Sequence, residues 1–199
     1  MTDEELEIAA DGLRAEAEQL LDGTGLRRLL ADRFGAAALT GSCRYDLMVW
    51  RDIDIHVPLA PERRLEWAGL LPEIGRRVEL PGGRMQRAQF LDDYVDPHPL
   101  GAGLYWGVEL RDANGFAWKI DLWGWAPDDF ERRQAADQEF RSALEEVERA
   151  LVLRLKTEAR QRPDFYGAVV SSMDVYRFVL AGAGRSLEEL LAWKSASGA

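Results

Sequence analysis

The sequence predicts an α+β fold in which a mixed, twisted β-sheet is flanked by helices and followed by a C-terminal helical annex. Three observations predict this class: helical periodicity at the start of the chain, short strand-like segments in the middle, and charged helical patterns over the last third. The chain has 199 residues, 47% of them hydrophobic, which is enough to bury a sizeable core. We expect residues 1–126 to form the core, including an N-terminal helix, and residues 127–199 to form the annex packed on it.

Helices and strands alternate over the first third of the chain. Apolar residues recur near helical spacing at the N-terminus, and the segment RDIDIHV alternates polar and apolar residues as a half-buried strand does. These patterns predict helices over 3–21 and about 25–33, a short buried strand over 36–40, one or two helical turns within 43–49, and a strand over 51–57.

A β-hairpin is the clearest local prediction in the middle of the chain, because the Asn-Gly pair in RDANG favours a tight turn between two strands. Composition shifts after this hairpin toward charged helical patterns. The predicted elements, in order, are a helix from Pro61 to about Val78, a strand over 84–91, a loop over 92–103, hairpin strands over 104–110 and 116–123, a long charged helix over about 128–160, and two helices over 165–181 and 186–197.

Composition and charge exclude several classes of protein. The formal net charge of −10 argues against broad electrostatic binding to nucleic acid. The lone Cys43 excludes an internal disulfide framework and suits a reducing cytosol. The acidic, amphipathic N-terminus differs from a signal peptide, and no apolar run approaches the length of a membrane span. We therefore expect a cytoplasmic protein that does not enter a membrane.

Three aspartates are predicted to meet on one side of the sheet. Side chains alternate along a strand, so Asp52 and Asp54 share a face, while Asp121 and Lys119 share a face of the second hairpin strand. If the two strands are neighbours, Asp121 joins Asp52 and Asp54. Clustered carboxylates raise one another's pKa, and a divalent cation removes that penalty. All-oxygen ligands favour Mg²⁺ or Mn²⁺ over zinc.

A simpler interpretation of the aspartate pair stays open. An Asp-x-Asp pattern on an edge strand often forms a solvated face and binds nothing. Asp121 is more informative, because it lies in the apolar segment AWKIDLW, which indicates burial. A buried carboxylate usually has a partner or a metal.

A Gly-Ser pair lies between the short buried strand and the aspartates. Gly41 permits tight backbone geometry and close approach of a ligand, and Ser42 is a good N-cap for a short helix after it. Free backbone N–H groups at such a helix start bind phosphate well. An ordinary strand-to-helix turn with a capping serine is the alternative. The position of the pair, ten residues before Asp52, is what makes it a candidate phosphate site.

Together these segments resemble the nucleotidyltransferase superfamily with the DNA-polymerase-β-like fold. The family pattern is an apolar residue followed by Gly-Ser, then an acidic–apolar–acidic strand, then a later strand with a third acid. The corresponding segments here are LTGS at 39–42, DIDI at 52–55 and KIDL at 119–122. The resemblance covers roughly residues 36–123. Cys43 and the bulky segment YDLMVW depart from the pattern, so the subfamily is not assigned.

The resemblance implies a role for each matching residue. Gly41 and Ser42 would hold the β- and γ-phosphates of a nucleoside triphosphate, with ATP the expected donor. Asp52 and Asp54 would bind Mg²⁺ or Mn²⁺. Asp121 would complete the metal site or activate the attacking hydroxyl as a general base.

Three basic residues are further candidates for nucleotide binding. Arg44 follows the Gly-Ser pair closely, as an arginine often does in small members of the family. Lys119 shares the predicted face of Asp121, where it would contact the triphosphate or pair with the acids. Lys156 lies with Arg149 and Arg160 near one face of the annex helix, where the alternative is a solvated helix face.

The resemblance therefore predicts transfer of a nucleoside monophosphate from a triphosphate to a hydroxyl or phosphate of an acceptor, with release of pyrophosphate. A small acidic chain favours a small-molecule acceptor. Two alternatives stay open: a nucleotidyltransferase of the toxin–antitoxin type acting on tRNA or protein, and a non-catalytic nucleotide-binding module. The sequence does not predict the oligomeric state.

Overall fold

A computed structural model of the protein describes residues 1–95, 101–162 and 165–197. Five strands occur in these ranges: β1 (Ala38–Thr40), β2 (Asp52–Pro58), β3 (Arg84–Asp92), β4 (Leu104–Arg111) and β5 (Ala117–Trp125). The helices of the same ranges are α1 (Asp3–Thr24), α2 (Leu26–Phe34), α3 (Gly41–Arg44), α4 (Arg64–Ala68), α5 (Leu71–Glu79), α6 (Pro127–Glu145), α7 (Arg149–Arg160), α8 (Ser172–Leu180) and α9 (Leu187–Ser197).

The strands form one mixed sheet in the order β1-β2-β5-β4-β3. Strand β2 runs parallel to β5, whereas the β1–β2, β5–β4 and β4–β3 pairs are antiparallel. The predicted α+β class with a mixed sheet flanked by helices is confirmed. None of the helices in the described ranges is both long enough and apolar enough to cross a membrane.

The main hydrophobic core lies on one face of this sheet. Ile53, Ile55 and Val57 of β2 are fully buried there, as the alternation of RDIDIHV predicts. Helices α1, α2, α4 and α5 cover this face with Leu21, Leu30 and other apolar side chains. The opposite face of β2 therefore carries Asp52, Asp54 and His56.

A second hydrophobic cluster joins the C-terminal helices to the start of the chain. It unites buried residues of α7, α8 and α9 with Leu6 and Ala10 of α1 and with Leu47, which follows α3. The segment between α3 and β2 is thus packed against the C-terminal helices.

The hairpin prediction is confirmed, since β4 and β5 pair around the Asn-Gly turn. The strands predicted over 36–40, 51–57 and 84–91 are also present, with bounds that differ by one or two residues. Residues 96–100 of the predicted loop over 92–103 lie outside the described residues.

The single helix predicted from Pro61 to Val78 is wrong. A 3₁₀ turn at Pro61–Arg63 leads into α4, which ends before Gly69, and α5 begins at Leu71. Pro72 explains the restart, because a proline lacks the N–H that a helix interior requires and is tolerated in the first turn. The break separates Trp67 and Ile74, both of which pack into the main core.

Two of the three predicted C-terminal helices are shorter than expected, whereas the helix predicted over 186–197 is present as α9. The charged helix over 128–160 divides into α6 and α7, because Glu148 adopts an extended conformation at the N-cap of α7. Within 165–181 only Ser172–Leu180 is helical. Ser171 and Asp174 form a capping box that begins this helix, which fixes its start at Ser172, seven residues after the predicted start.

Candidate active site

The polar face of the central strand pair brings the predicted acids together. In the parallel β2–β5 ladder, Asp52 lies opposite Lys119 and Asp54 lies opposite Asp121. Residues opposite one another on neighbouring strands carry side chains on the same face. The four side chains therefore form a compact array of three carboxylates and one ammonium group.

Asp121 is the best-satisfied acid of the array. Its Oδ1 accepts a hydrogen bond from the Tyr105 hydroxyl at 2.6 Å, and its Oδ2 accepts one from the Lys119 ammonium group at 2.5 Å. Gly107 lies opposite Asp121 on β4, and a Cβ there would stand 2.3 Å from the Tyr105 hydroxyl oxygen. The glycine therefore leaves the space in which Tyr105 reaches Asp121.

Asp52 is only partly satisfied. Its Oδ2 accepts a hydrogen bond from the Trp50 indole N–H at 3.2 Å. Its Oδ1 is buried without a hydrogen-bond partner, and the Lys119 Nζ stands 4.0 Å from it. A buried carboxylate oxygen without a donor is costly, because it has lost water and gained nothing in exchange.

Asp54 lies against the backbone of the Gly-Ser turn. Gly41 has φ of +64°, and a Cβ there would stand 2.4 Å from Asp54 Oδ2. Only glycine fits both the conformation and the space. Among the described residues no hydrogen bond or ion pair reaches the Asp54 carboxylate, so the acid nearest the turn is the acid with the fewest partners.

Burial and mutual repulsion raise the pKa of two of these acids. The pKa of Asp54 lies well above its usual value because the group is enclosed by protein and then because Asp52 and Asp121 repel its charge. Burial also raises the pKa of Asp52, although Lys119 opposes that shift. Burial would lower the pKa of Lys119, but the neighbouring Asp52 and Asp121 outweigh it and raise that pKa.

The local structure of the turn differs from the prediction in one respect. Helix α3 begins at Gly41, and Thr40 occupies the N-cap, so Ser42 is the second residue of the helix and not its cap. The helix ends at Arg44, whereas helical turns were predicted within 43–49. Ser42 is nevertheless buried, directly after Gly41 in the chain.

Three cations of α7 hold the segment between α3 and β2. Arg149 Nε donates to the carbonyl of Asp46 at 3.0 Å, and Lys156 Nζ donates to the carbonyl of Leu47 at 2.5 Å. The Arg160 guanidinium lies 4.5 Å from the centre of the Trp50 ring. The predicted common face of these three residues is thus directed at this segment.

Lys156 lies inside the protein. The side chain is fully buried, and its ammonium group also donates to the Tyr176 hydroxyl at 2.9 Å. Burial lowers the pKa of Lys156 to about 7, although Asp52 and Asp54 attract its charge. Its present contacts support the segment that leads into β2.

Arg44 is directed toward α6. Its Nε pairs with Asp137 Oδ2 at 2.6 Å, and its guanidinium donates to Gln138 at 2.7 Å. Asp137 also accepts hydrogen bonds from Thr40, at 2.6 Å, and from Tyr45. Asp137 therefore ties α6 to both ends of the Gly-Ser turn.

Sequence reasoning missed Tyr105, Trp50 and Asp137 as residues of this site. The register of the hairpin could have identified Tyr105. Pairing around the Asn-Gly turn places Gly107 opposite Asp121, and Tyr105 lies two residues from Gly107 on the same face of β4. No local signal identifies Trp50 or Asp137, whose partners come from packing between distant segments.

The oxygen atoms of this face match a hard divalent cation in chemical type. They are carboxylate oxygens, which Mg²⁺ and Mn²⁺ prefer, and Asp52 Oδ1 is a buried oxygen without a hydrogen-bond donor. Within the described ranges, no group of three His, Cys, Asp or Glu side chains stands in an arrangement that could hold a metal ion. Both oxygens of Asp121 are already engaged, by Tyr105 and Lys119.

Comparison of the chain with protein-family models, with curated proteins and with solved structures gives no match in any of the three.

Proposed function

We propose that the protein is a metal-dependent nucleotidyltransferase of the superfamily that its sequence resembles. It would move a nucleoside monophosphate from a nucleoside triphosphate, ATP first among the candidates, to a hydroxyl or phosphate of a small-molecule acceptor. Pyrophosphate would be released. The observation that carries the proposal is the parallel pairing of β2 with β5, which puts Asp54 opposite Asp121 and beside the Gly41 turn.

The acids have distinct tasks in this proposal. Asp52 and Asp54 would hold Mg²⁺ or Mn²⁺ through carboxylate oxygens that have no hydrogen-bond donor. Asp121, held by Tyr105, completes the site or accepts the proton of the attacking hydroxyl. The bound metal would supply charge neutralisation for the entering and leaving oxygens of an in-line displacement.

In this proposal the Gly41-Ser42 turn and Lys119 bind the triphosphate. Gly41 lets the backbone approach a phosphate without a side chain, and the buried Ser42 follows it in the chain. Lys119 is half exposed, so its ammonium group can turn toward a phosphate without unpacking the core. Arg44 is paired with Asp137, and Lys156 donates to the carbonyl of Leu47, so neither can contact phosphate without breaking that interaction. Their proposed role is to support the Gly-Ser turn and the segment after it.

The charge of the molecule supports a small acceptor. Several annex arginines that a polyanion would require are already paired with acids, as Arg149 is with Asp11 and Arg154 with Asp3. A tRNA or protein acceptor is the alternative within the same chemistry. Transfer of label from a nucleoside triphosphate to tRNA would replace the small-molecule proposal with that one.

A non-catalytic nucleotide-binding module is the second candidate function. The pairing of Lys119 with Asp121 favours it, because an ammonium group already neutralises one acid of the array. Such a module would bind nucleotide equally well with and without a divalent cation.

Calorimetric titration of ATP, GTP, CTP and UTP, with and without Mg²⁺, tests the proposal. We expect one or more nucleotides to bind only with Mg²⁺, and the Asp54→Ala variant to bind none. The Asp32→Ala variant is a matched control, since it removes an exposed carboxylate of α2 that is paired with Arg28. Mg²⁺-independent binding would favour the module, and unchanged binding to Asp54→Ala would refute the site.

A further inference from the structure

Lys119 contributes its ammonium group to the acid array. It lies opposite Asp52 on the neighbouring strand and reaches along its own strand to Asp121. Its Nζ stands 2.5 Å from Asp121 Oδ2 and 4.0 Å from Asp52 Oδ1. One ammonium group therefore lies between the carboxylates of Asp52 and Asp121.

The ammonium group does not satisfy all of the carboxylate oxygens around it. It donates a hydrogen bond to Asp121, but Asp52 Oδ1 stays buried without a hydrogen-bond partner. Asp54 has no ion pair at all among the described residues. A divalent cation carries twice the charge and accepts several oxygen ligands at once, so it would satisfy these oxygens better than a single ammonium group.

The Lys119 side chain is also able to move away from Asp121. Half of its side-chain surface is exposed, in contrast to Lys156, whose side chain is fully enclosed. The departure of Lys119 frees only Oδ2 of Asp121, because Tyr105 keeps its hydrogen bond to Oδ1. The carboxylate would thus keep its orientation while one oxygen becomes available.

From this geometry we infer that Lys119 is an internal counter-ion that a metal–nucleotide complex displaces. The inference rests on the proposed function. Without nucleotide, the ammonium group competes with a divalent cation for Asp121 and Asp52. With nucleotide, the triphosphate offers Lys119 a new anionic partner, so the cation enters without leaving an ammonium group unpaired. Nucleotide and cation therefore bind cooperatively, and Lys119 is the residue that couples them.

Mn²⁺ binding, followed by electron paramagnetic resonance of free Mn²⁺, tests the coupling. The titration is made on wild type and Lys119→Met, each with and without a non-hydrolysable ATP analogue. We expect wild type to bind Mn²⁺ weakly alone and at least about tenfold more tightly with the analogue, within the range of typical coupling between sites. Lys119→Met is expected to bind Mn²⁺ alone about tenfold more tightly than wild type does.

Three further variants separate charge from folding. Lys119→Arg keeps the positive charge and should retain the wild-type coupling. Lys119→Gln removes the charge with a polar side chain and should behave as Lys119→Met. Lys194→Met is the matched control, because it removes an ion-paired lysine in the annex, 2.8 Å from Asp174, and should leave Mn²⁺ binding unchanged.

The outcomes distinguish this inference from the proposed function. If wild type binds the Mn²⁺–analogue complex but neutral substitution of Lys119 leaves the affinity for Mn²⁺ alone unchanged, the counter-ion inference is wrong and the nucleotide site stands. If no variant binds Mn²⁺ with or without the analogue, both are wrong, because no cation then displaces the ammonium group. Thermal unfolding of each variant establishes that the compared proteins are folded.

Discussion

Asp174 and Asp54 differ in the hydrogen-bond donors that surround their carboxylates. Asp174, in the first turn of α8, accepts hydrogen bonds from the Ser171 backbone N–H at 2.7 Å, the Ser171 hydroxyl at 2.8 Å and the Lys194 ammonium group at 2.8 Å. Asp54, on the central strand pair, accepts none among the described residues, and its nearest acidic neighbours repel it.

The pKa values of the two aspartates shift in opposite directions. Burial acts to raise the pKa of Asp174, but the donors Lys194 and Ser171 outweigh it and lower that pKa. For Asp54, burial and the neighbouring carboxylates act together and raise the pKa. In this protein the carboxylate with a structural role has hydrogen-bond donors, whereas the carboxylate without donors costs stability, which is consistent with the proposed metal site at Asp54.

The largest effect is expected from closing the space beside Asp54. The Gly41→Ala substitution should lower the free energy of unfolding by about 3 kcal/mol, since it adds a Cβ 2.4 Å from Asp54 Oδ2 at a positive φ. Gly35→Ala is the control, because Gly35 also has a positive φ but no atom lies within 4 Å of its added Cβ. Urea unfolding should show a loss of only about 1 kcal/mol for that control. Equal losses would mean that strain, and not the close approach to Asp54, requires the glycine.

Neutralising the two aspartates should change stability with opposite signs. At neutral pH and without divalent cations, Asp174→Asn should lower the free energy of unfolding by about 2 kcal/mol, because it weakens a charge-assisted network. Asp54→Asn should raise it by about 1 kcal/mol, because it removes an unpaired carboxylate. Urea unfolding measures both variants. A destabilising Asp54→Asn substitution would show that the Asp54 carboxylate has a structural task after all.

The pH dependence of stability should separate the same two groups. The stabilisation from Asp174, whose pKa is lowered from 3.8, is fully present above about pH 4 and is lost as the pH falls through its folded value. The pKa of Asp54 is raised from 3.8, so its contribution to stability has the opposite sign. That contribution is fully present below about pH 4 and is lost as the pH rises through the pKa that Asp54 has in the folded protein.

Denaturant unfolding from pH 3 to pH 8 checks both signs against the variants. The advantage of Asp54→Asn over wild type should grow as the pH rises, by about 1 kcal/mol over the range. The disadvantage of Asp174→Asn should shrink as the pH falls below about 4. A gap between wild type and Asp54→Asn that stays constant with pH would contradict the raised pKa of Asp54.

The smallest effect is expected from Tyr105. The Tyr105→Phe substitution removes one hydrogen bond to Asp121 and should cost about 1 kcal/mol of unfolding free energy or less, because Lys119 still satisfies the carboxylate. The substitution should weaken Mg²⁺–nucleotide binding more than it weakens the fold. Calorimetry and urea unfolding on the same variant compare the two effects.

Periodicity and turn chemistry account for what the sequence predicted well. Alternation along RDIDIHV put Ile53 and Ile55 in the core and Asp52 and Asp54 on the opposite face. The Asn-Gly turn gave the hairpin, whose second strand carries Asp121. That β5 pairs with β2 was a hypothesis at the sequence level, and the observed register Asp54↔Asp121 confirms the neighbourhood of the two strands.

Long-range packing accounts for what the sequence did not predict. The breaks before Leu71 and Arg149 interrupt patterns that are helical on both sides, and only Pro72 gives a local signal. The burial of Lys156 depends on Leu47 and Tyr176, which come from separate parts of the chain. Such contacts arise from how the elements pack, and periodicity within one element does not determine them.

Crystals grown with Mn²⁺ and a non-hydrolysable ATP analogue would show, through the anomalous scattering of manganese, whether the three aspartates form a metal–nucleotide site. We expect a manganese peak bound by carboxylate oxygens of Asp52 and Asp54, with the triphosphate against Gly41 and the Lys119 ammonium group moved away from Asp121. A nucleotide bound at another face of the molecule, or at this face with no metal peak and Lys119 still on Asp121, would contradict this expectation.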